Sequence, residues 1–334
     1  MEKLVTLAHG SGGRLTAELV REVFVECFDD EAGRRLDDAA VLAGGGGRVA
    51  LTTDAFVVKP RFFPGGDIGK LSVCGTVNDL AVCGAQPVAL TAAFVIEEGV
   101  AVEELRTIAG SMARCARAAG VRLVAGDTKV VERGSGDGVY LCTAGYGLVA
   151  DALQLGPETL AAGDVVLVSG DVGRHEAAVL LARGEIGFAA DIESDCGLLH
   201  ETAQAVLAVG GAGVRCMRDA TRGGLATVLA EFAETRGATI TLRAADIPVQ
   251  PAVRAVCDLL GLDPLYLACE GRLVAVVAPD VAADVLAALV AREASAAVIG
   301  QVSGGDGGRV LLETGVGGRR VLDRLAGGQL PRIC

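Results

Sequence analysis

No apolar run in this chain approaches the roughly twenty residues needed to cross a bilayer, and the longest, such as Val88 to Ile96, fall far short. Histidine is scarce, three in 334 residues, which leaves little room for zinc chemistry. No CxxC occurs among the ten cysteines, and Cys74 with Cys83, or Cys257 with Cys269, lack metal-ligand spacing. No basic stripe appears either, and the formal net charge of −12 argues against a nucleic-acid-binding surface. No GxGxxG opens a helix. Gly65-Gly66-Asp67-Ile68-Gly69-Lys70-Leu71 only superficially follows a P-loop, because its glycines are too close and Leu71 stands where Ser or Thr would bind magnesium. Nucleotide binding, if present, uses another fold. No signal peptide is apparent, since Met1-Glu2-Lys3-Leu4 leads into a polar loop, so the expected compartment is a reducing cytoplasm where thiols stay free.

What is present is a globular composition, 51% hydrophobic and 22% charged, in a chain long enough for two domains. Strands and helices alternate. Arg48 to Thr53 reads as a strand ending at Asp54, Asp67 to Cys83 as a helix and Val88 to Ile96 as a buried strand. Glu103 to Ala119 is an amphipathic helix stopped by Gly120, Arg122 to Ala125 a strand stopped by Gly126-Asp127, and Val139 to Val149 another strand. After a break at Gly156-Pro157 a second series runs from Asp164 to the strand near Val310, with helices such as Gly224 to Thr235 and Pro251 to Leu260. Irregular spacing, with some strands lacking a crossover helix, favours two α+β sandwiches over a doubly wound parallel sheet. The expected units are residues 1–155, 156–325 and a mobile tail, 326–334, which has two glycines and a proline and no apolar period. Cys27, Cys74, Cys115, Cys142 and Cys257 lie in apolar stretches and read as buried hydrophobes.

Aspartates recur where strands end or helices begin: Asp38, Asp54, Asp127 and Asp219. Asp79 sits inside a helical pattern, beside Asn78, where an unpaired carboxylate is penalised. N-capping accounts for some of these singly. Five together, with glycine neighbours, suit Mg²⁺ shared with a polyphosphate. His9-Gly10-Ser11-Gly12-Gly13-Arg14 is a glycine-rich loop opening a helix, whose N–H groups could cradle a phosphate. Lys129 reads as a solvated charge, a phosphate ligand or a base, and Glu270 carries the same ambiguity. His175 and His200 read as surface or capping residues. The last residue, Cys334, rides on the tail, whose nine residues extended would reach roughly 30 Å.

Several segments together resemble the HypE family of hydrogenase maturation proteins, carbamoyl dehydratases of the aminoimidazole-ribonucleotide-synthetase-like (PurM-like) superfamily. They are HGSGGR (9–14), TTDAFVV (52–58), FFPGGDIGKLSVCGTVNDLAVCGAQP (62–87), AGDTKVVERG (125–134), SDC (194–196), RDATRGG (218–224), EG (270–271) and the terminal PRIC (331–334). The likeness runs over nearly the whole chain. NDLAVCGA and DATRGG mark only the superfamily, whereas GDTKVVERG with terminal PRIC is specific to the family. One triplet departs: family members carry Asp-His-Gly where this chain reads Arg174-His175-Glu176, which leaves His175 without an assigned role.

The resemblance implies PurM-like sandwich domains, the first dimerising through its sheet, and a Cys334 thiol carbamoylated by a partner carbamoyltransferase, HypF. That thiocarboxamide is then dehydrated to a thiocyanate at the expense of ATP, and the nitrile passes to a HypC–HypD complex as the cyanide ligand of nickel–iron hydrogenase. Asp38, Asp54, Asp79, Asp127 and Asp219 would hold Mg²⁺. Gly10, Ser11, Gly12, Gly13, Asp54, Asp79, Asp127, Thr128, Thr221 and Arg222 would hold ATP, and Lys129 and Glu270 are both candidates for the base. An amide oxygen leaves only once phosphorylated, so the chemistry asks for positioning and charge neutralisation. Two other readings are a small-molecule synthetase, such as selenophosphate or aminoimidazole ribonucleotide synthetase, and a non-catalytic scaffold. The first would want a reactive residue near the glycine loop, which residues 8 to 16 lack, and the second gives the carboxylates no purpose.

Overall fold

The computed structural model describes residues 5–10, 13–28, 37–44, 47–184, 187, 190–304, 307–315 and 317–334. The first half is a five-stranded sheet in the order β1-β2-β7-β5-β6, formed by β1 (Ala40–Gly44), β2 (Gly47–Phe56), β5 (Ala85–Glu97), β6 (Arg122–Val131) and β7 (Val139–Val149). A separate two-stranded ribbon joins β3 (Phe62–Phe63) to β4 (Gly66–Asp67). All pairings in the five-stranded sheet are antiparallel except β5 with β6. Ahead of it, α1 (Arg14–Leu19) passes through a π-helical stretch, Val20–Val25, into α2 (Glu26–Phe28).

One face of this sheet is covered by α3 (Ile68–Val82) and α4 (Val102–Ala118). Asp67 caps α3, its carboxylate accepting from the amides of Gly69 and Lys70 at 2.7 and 3.0 Å. Lys70 spends its ammonium on the Gly65 carbonyl at 2.8 Å, so the P-loop-like string is a helix start tied to its own loop. The opposite face is open: β7 alternates strictly, with Cys142, Tyr146 and Leu148 pointing outward.

The second half is a seven-stranded sheet, β14-β13-β10-β12-β8-β11-β9, from β8 (Val165–Val168), β9 (Val214–Asp219), β10 (Thr239–Arg243), β11 (Leu273–Val277), β12 (Ala297–Ser303), β13 (Arg309–Glu313) and β14 (Arg319–Leu322). Its helices are α5 (Arg174–Ala182), α6 (His200–Gly210), α7 (Gly224–Arg236), α8 (Pro251–Leu260) and α9 (Ala282–Val290). Val166, Val168, Val274 and Val276 face α7, whose Leu225, Leu229 and Phe232 fill that side. Leu167, Ala275 and Val277 face α6 and α9 through Val206, Val285 and Leu289. Burial of both faces explains why β8 and β11 read as unbroken apolar runs.

The two halves share a core. Val179, Cys196, Ala268 and Ile333 from the second half pack with Phe63, Val73, Cys74 and Ile108 of the first. Gly65, at φ +89°, lies where any Cβ would come within 2.7 Å of the Ser194 oxygen, so the contact between the halves requires glycine there. Both sheets are mixed, as an α+β reading requires. The strand expected over Arg122 to Ala125 ends too soon, however, because β6 continues through Gly126 and Asp127 to Val131. Cys74, Cys115 and Cys257 are buried as expected, but Cys27 and Cys142 are exposed.

Candidate functional site

Asp54, near the end of β2, lays its carboxylate over Gly75 of α3, where a Cβ would stand 3.2 Å from its Oδ2. Asp79 follows Gly75 by one helical turn on the same face. Its Oδ2 accepts from Thr52 Oγ1 at 2.7 Å. Asp219, at the end of β9, closes the group and is buried, with Oδ2 lacking a hydrogen-bond partner. Burial, and then the neighbouring Asp54, Asp219 and Asp38, push the Asp79 carboxyl well above the ordinary carboxylate range. Asp219 is raised likewise by burial and then Asp38 and Asp54. Asp38 lies at the rim, raised to about 6 by burial, although Arg218 Nε donates to it at 3.2 Å.

Glu270 stands in the segment before β11, 2% exposed, with Oε1 unpartnered. Burial, then Cys196, Asp219, Asp195 and Asp54, hold its carboxyl far above the usual range. Asn78 explains its own place in a helix interior. Its amide donates to the carbonyls of Gly197 (2.9 Å) and Glu270 (3.4 Å), and its oxygen accepts from the Leu199 amide (2.7 Å), so it bolts α3 to the second half.

The tail expected to swing free is docked here. Val57 N–H donates to the Cys334 carbonyl at 3.0 Å and Lys59 N–H to the Arg332 carbonyl at 3.2 Å. Arg332 Nε donates to the Val57 carbonyl at 3.0 Å and its Nη1 to Asp137. Arg183 reaches the carbonyls of Pro331 and Arg332, the latter at 3.0 Å. Such backbone-to-backbone bonding leaves no periodic trace in sequence. Ile333 is buried, and the half-buried Cys334 lies near Arg222, Glu270, Asp54 and Glu176. Burial pushes its thiol up to about 12, against the pull of Arg222. A cavity of about 70 Å³ borders Cys334, Arg222, Glu176 and Ala55. A larger one, about 650 Å³, borders Asp38 but not the thiol, and its arginines are engaged, Arg48 with the Leu153 carbonyl and Arg218 with Asp38 and Glu231.

Two expectations need correction. Lys129, Asp127 and Thr128 do not join this cluster within one chain. They lie exposed on the edge strand β6, where Lys129 Nζ pairs with Asp127 at 2.7 and 2.9 Å. Asp127 pairs with Ala93 in register, so its side chain leaves by the open face, whereas Asp54, level with Thr143 and Ala92, points to α3. His175 is not a surface residue but wholly buried, with Nε2 2.9 Å from the Ile333 oxygen.

Of the glycine-rich loop, Ser11 and Gly12 lie outside the described residues. The Gly10 carbonyl accepts from Arg222 at 3.3 Å. Gly13 packs so tightly on the tail root that a Cβ would come 2.5 Å from the Leu325 oxygen. The amides of Arg14 and Leu15 donate to the carbonyls of Leu325 and Ala326, so in this conformation they serve the tail rather than a phosphate. Thr221 hydrogen-bonds Asp219. Sequence reasoning missed Asn78 and Glu176. The latter, buried and raised to about 7, accepts from the Ala268 amide at 2.7 Å.

The two-domain fold has counterparts among known proteins. Residues 36–149 match the N-terminal domain, and residues 161–313 the C-terminal domain, of AIR synthase related proteins. Carbamoyl dehydratase HypE of Rhodobacter capsulatus is 49% identical, over 100% of this chain and 99% of its own. The chain belongs to the HypE family. Among solved structures, the HypE–HypF complex superposes with TM-score 0.87 at 44% identity, covering 92% of this chain and 99% of that one. Hydrogenase maturation protein HypE in complex with ATP superposes with TM-score 0.83 at 41% identity, covering 99% and 100%. No helix among the described residues is long and apolar enough to cross a membrane.

Proposed function

We propose that this chain is an ATP-dependent carbamoyl dehydratase whose substrate is its own Cys334. A carbamoyl group on the sulfur loses its oxygen and both N–H protons, leaving a thiocyanate whose nitrile becomes the cyanide ligand of nickel–iron hydrogenase iron. The observation that carries this reading is the docked thiol beside a buried carboxyl, Glu270, with an unpartnered oxygen. The cavity of about 70 Å³ at the sulfur suits a group of a few heavy atoms.

The donor set fits a divalent cation. Asp54 raises the proton affinity of both Asp79 and Asp219, and Asp219 that of Asp79, which a cation would relieve, and Asp219 Oδ2 has no partner. No three such groups among the described residues are close enough to hold an ion by themselves, so phosphate oxygens would complete the shell. Bound Mg-ATP would supply the phosphoryl group that makes the amide oxygen leave. Glu270 is the stronger candidate for base, because it lies near Cys334, whereas Lys129 is exposed on β6 and paired with Asp127. Arg222 lies near Cys334, Asp54 and Glu270 and offsets charge there.

Lys129, Asp127 and Thr128 would serve a partner's site in a homodimer made through the open sheet face. That face exposes Leu51, Val95, Tyr146 and Leu148, which supports such a pairing. A HypF-type carbamoyltransferase is the proposed donor, consistent with the HypE–HypF complex, and a HypC–HypD complex the proposed acceptor, in the cytoplasm. The test is to carbamoylate the protein, add Mg-ATP and weigh the C-terminal peptide. Loss of one water per ATP consumed is the expected result, and an unchanged mass with Cys334 intact overturns the assignment.

A further inference from the structure

We infer that His175 is a positioning residue for the tail: its neutral imidazole grips the Ile333 carbonyl and so seats Cys334 in the site. The inference rests on the reading of Cys334 as the reacting group. It stands on the assignment of both ring nitrogens. Nε2 is 2.9 Å from the Ile333 oxygen, a carbonyl that only accepts, so Nε2 carries the proton. Nδ1 is 2.8 Å from Ser194 Oγ. That hydroxyl already accepts the Cys196 amide at 2.9 Å, which frees its own hydrogen for Nδ1. The relay therefore runs Cys196 N–H to Ser194, Ser194 O–H to His175, and His175 N–H to Ile333, with each group neutral and used once.

The surroundings hold the ring to this task. His175 is wholly buried, and Phe63 packs against it at 5.3 Å in an edge-on geometry. Burial lowers its proton affinity, in keeping with a neutral ring. When the tail leaves, Ile333 can find water, but a buried Nε2–H loses its acceptor, and that asymmetry favours the docked state. The residues flanking His175 act elsewhere, Arg174 pairing with Asp171 at 3.1 Å and Glu176 taking the Ala268 amide. Of the altered triplet, His175 is the residue that hydrogen-bonds the tail.

The test is alkylation of Cys334 by iodoacetamide in the full-length chain without nucleotide, followed on the C-terminal peptide. His175→Ala should label about tenfold faster, the shift expected from losing one buried hydrogen bond. His175→Gln, whose amide can still donate to Ile333, should recover most of the protection. Ser194→Ala, which removes the donor to Nδ1 together with the acceptor of the Cys196 amide, should label about threefold faster on the same ground and serves if His175→Ala does not fold. Wild-type labelling in His175→Ala and Ser194→Ala overturns the inference. So does equal acceleration at the buried Cys216 and Cys269, which would mark general loosening. Because labelling needs neither ATP nor a carbamoyl group, a wild-type protein that labels as expected yet never dehydrates would sink the proposed function alone.

Discussion

The amide of Val57 donates to the carbonyl of Cys334 across 3.0 Å, and Val57 lies three residues beyond Asp54 on the same run of chain. With Lys59 bonded to Arg332, the last residues lie alongside 57–59, held there by main-chain hydrogen bonds. Main-chain bonding gives affinity without choosing register, so side chains must choose it. Arg332, Arg183 and His175 reach back from or onto the tail.

Arg332 holds its place at a cost. Its φ of +55° is left-handed, unfavourable by roughly 1 kcal/mol for a residue with a Cβ. Its side chain offsets this through Val57 and Asp137. Arg332→Ala should keep the strain and lose the bonds, so carboxypeptidase trimming of the terminus should quicken about tenfold. Arg332→Gly relieves the strain and should be trimmed more slowly than Arg332→Ala. Trimming of both at the wild-type rate would show that Arg332 does not hold the tail.

Asp79 should trade stability for function. Its charge is opposed by Asp54, Asp219 and Asp38, so Asp79→Asn removes repulsion while an amide oxygen still accepts from Thr52. A melting temperature raised by a few degrees in the nucleotide-free protein is expected, together with at least a hundredfold loss of dehydration rate. A variant that is both less stable and fully active would contradict the carboxylate cluster.

How far the sequence was legible depends on range. Val139–Val149 and Pro251–Leu260 emerge with their observed bounds, because alternation and helical period are local signals. Gly126-Asp127 misleads. Glycine there is needed because a Cβ would stand 2.6 Å from the Ala92 oxygen of the parallel neighbour, not because the strand stops. β9 hides because Arg215 and Arg218 look like loop charges, yet they pair with Asp164 and with Asp38 and Glu231. That several aspartates gather was readable from residue type and glycine neighbours. Which carboxylates meet was not, since Asp54 and Asp127 leave opposite faces of one sheet and only register decides that.

Glu176 makes stability depend on pH in the direction opposite to a salt-bridged acid. Burial raises its carboxyl from 4.5 to about 7, so the folded state binds the proton more tightly than the unfolded chain. Its contribution is therefore neutral below about 4.5 and increasingly destabilising up to about 7, levelling above that. Glu176→Gln should match wild type at low pH and melt higher at pH 8, by the equivalent of about 3 kcal/mol at most. A difference independent of pH would show that Glu176 does not titrate in this range.

Asn78 should prove to be the joint between the halves. It is 1% exposed and makes three hydrogen bonds to the second half, to Gly197, Leu199 and Glu270. Asn78→Ala leaves the buried Leu199 amide without its acceptor, a loss of about 2–4 kcal/mol, which lowers the melting temperature by roughly 3–6 °C in a chain of this size. Because the same side chain holds the Glu270 backbone, dehydration should slow at least tenfold well below the melting transition. Asn78→Asp separates the two effects. It keeps an acceptor for Leu199 but loses the donor to Glu270 and adds a charge beside Asp79, so it should be nearly as slow as alanine. Wild-type melting and rate in Asn78→Ala would place the joint elsewhere.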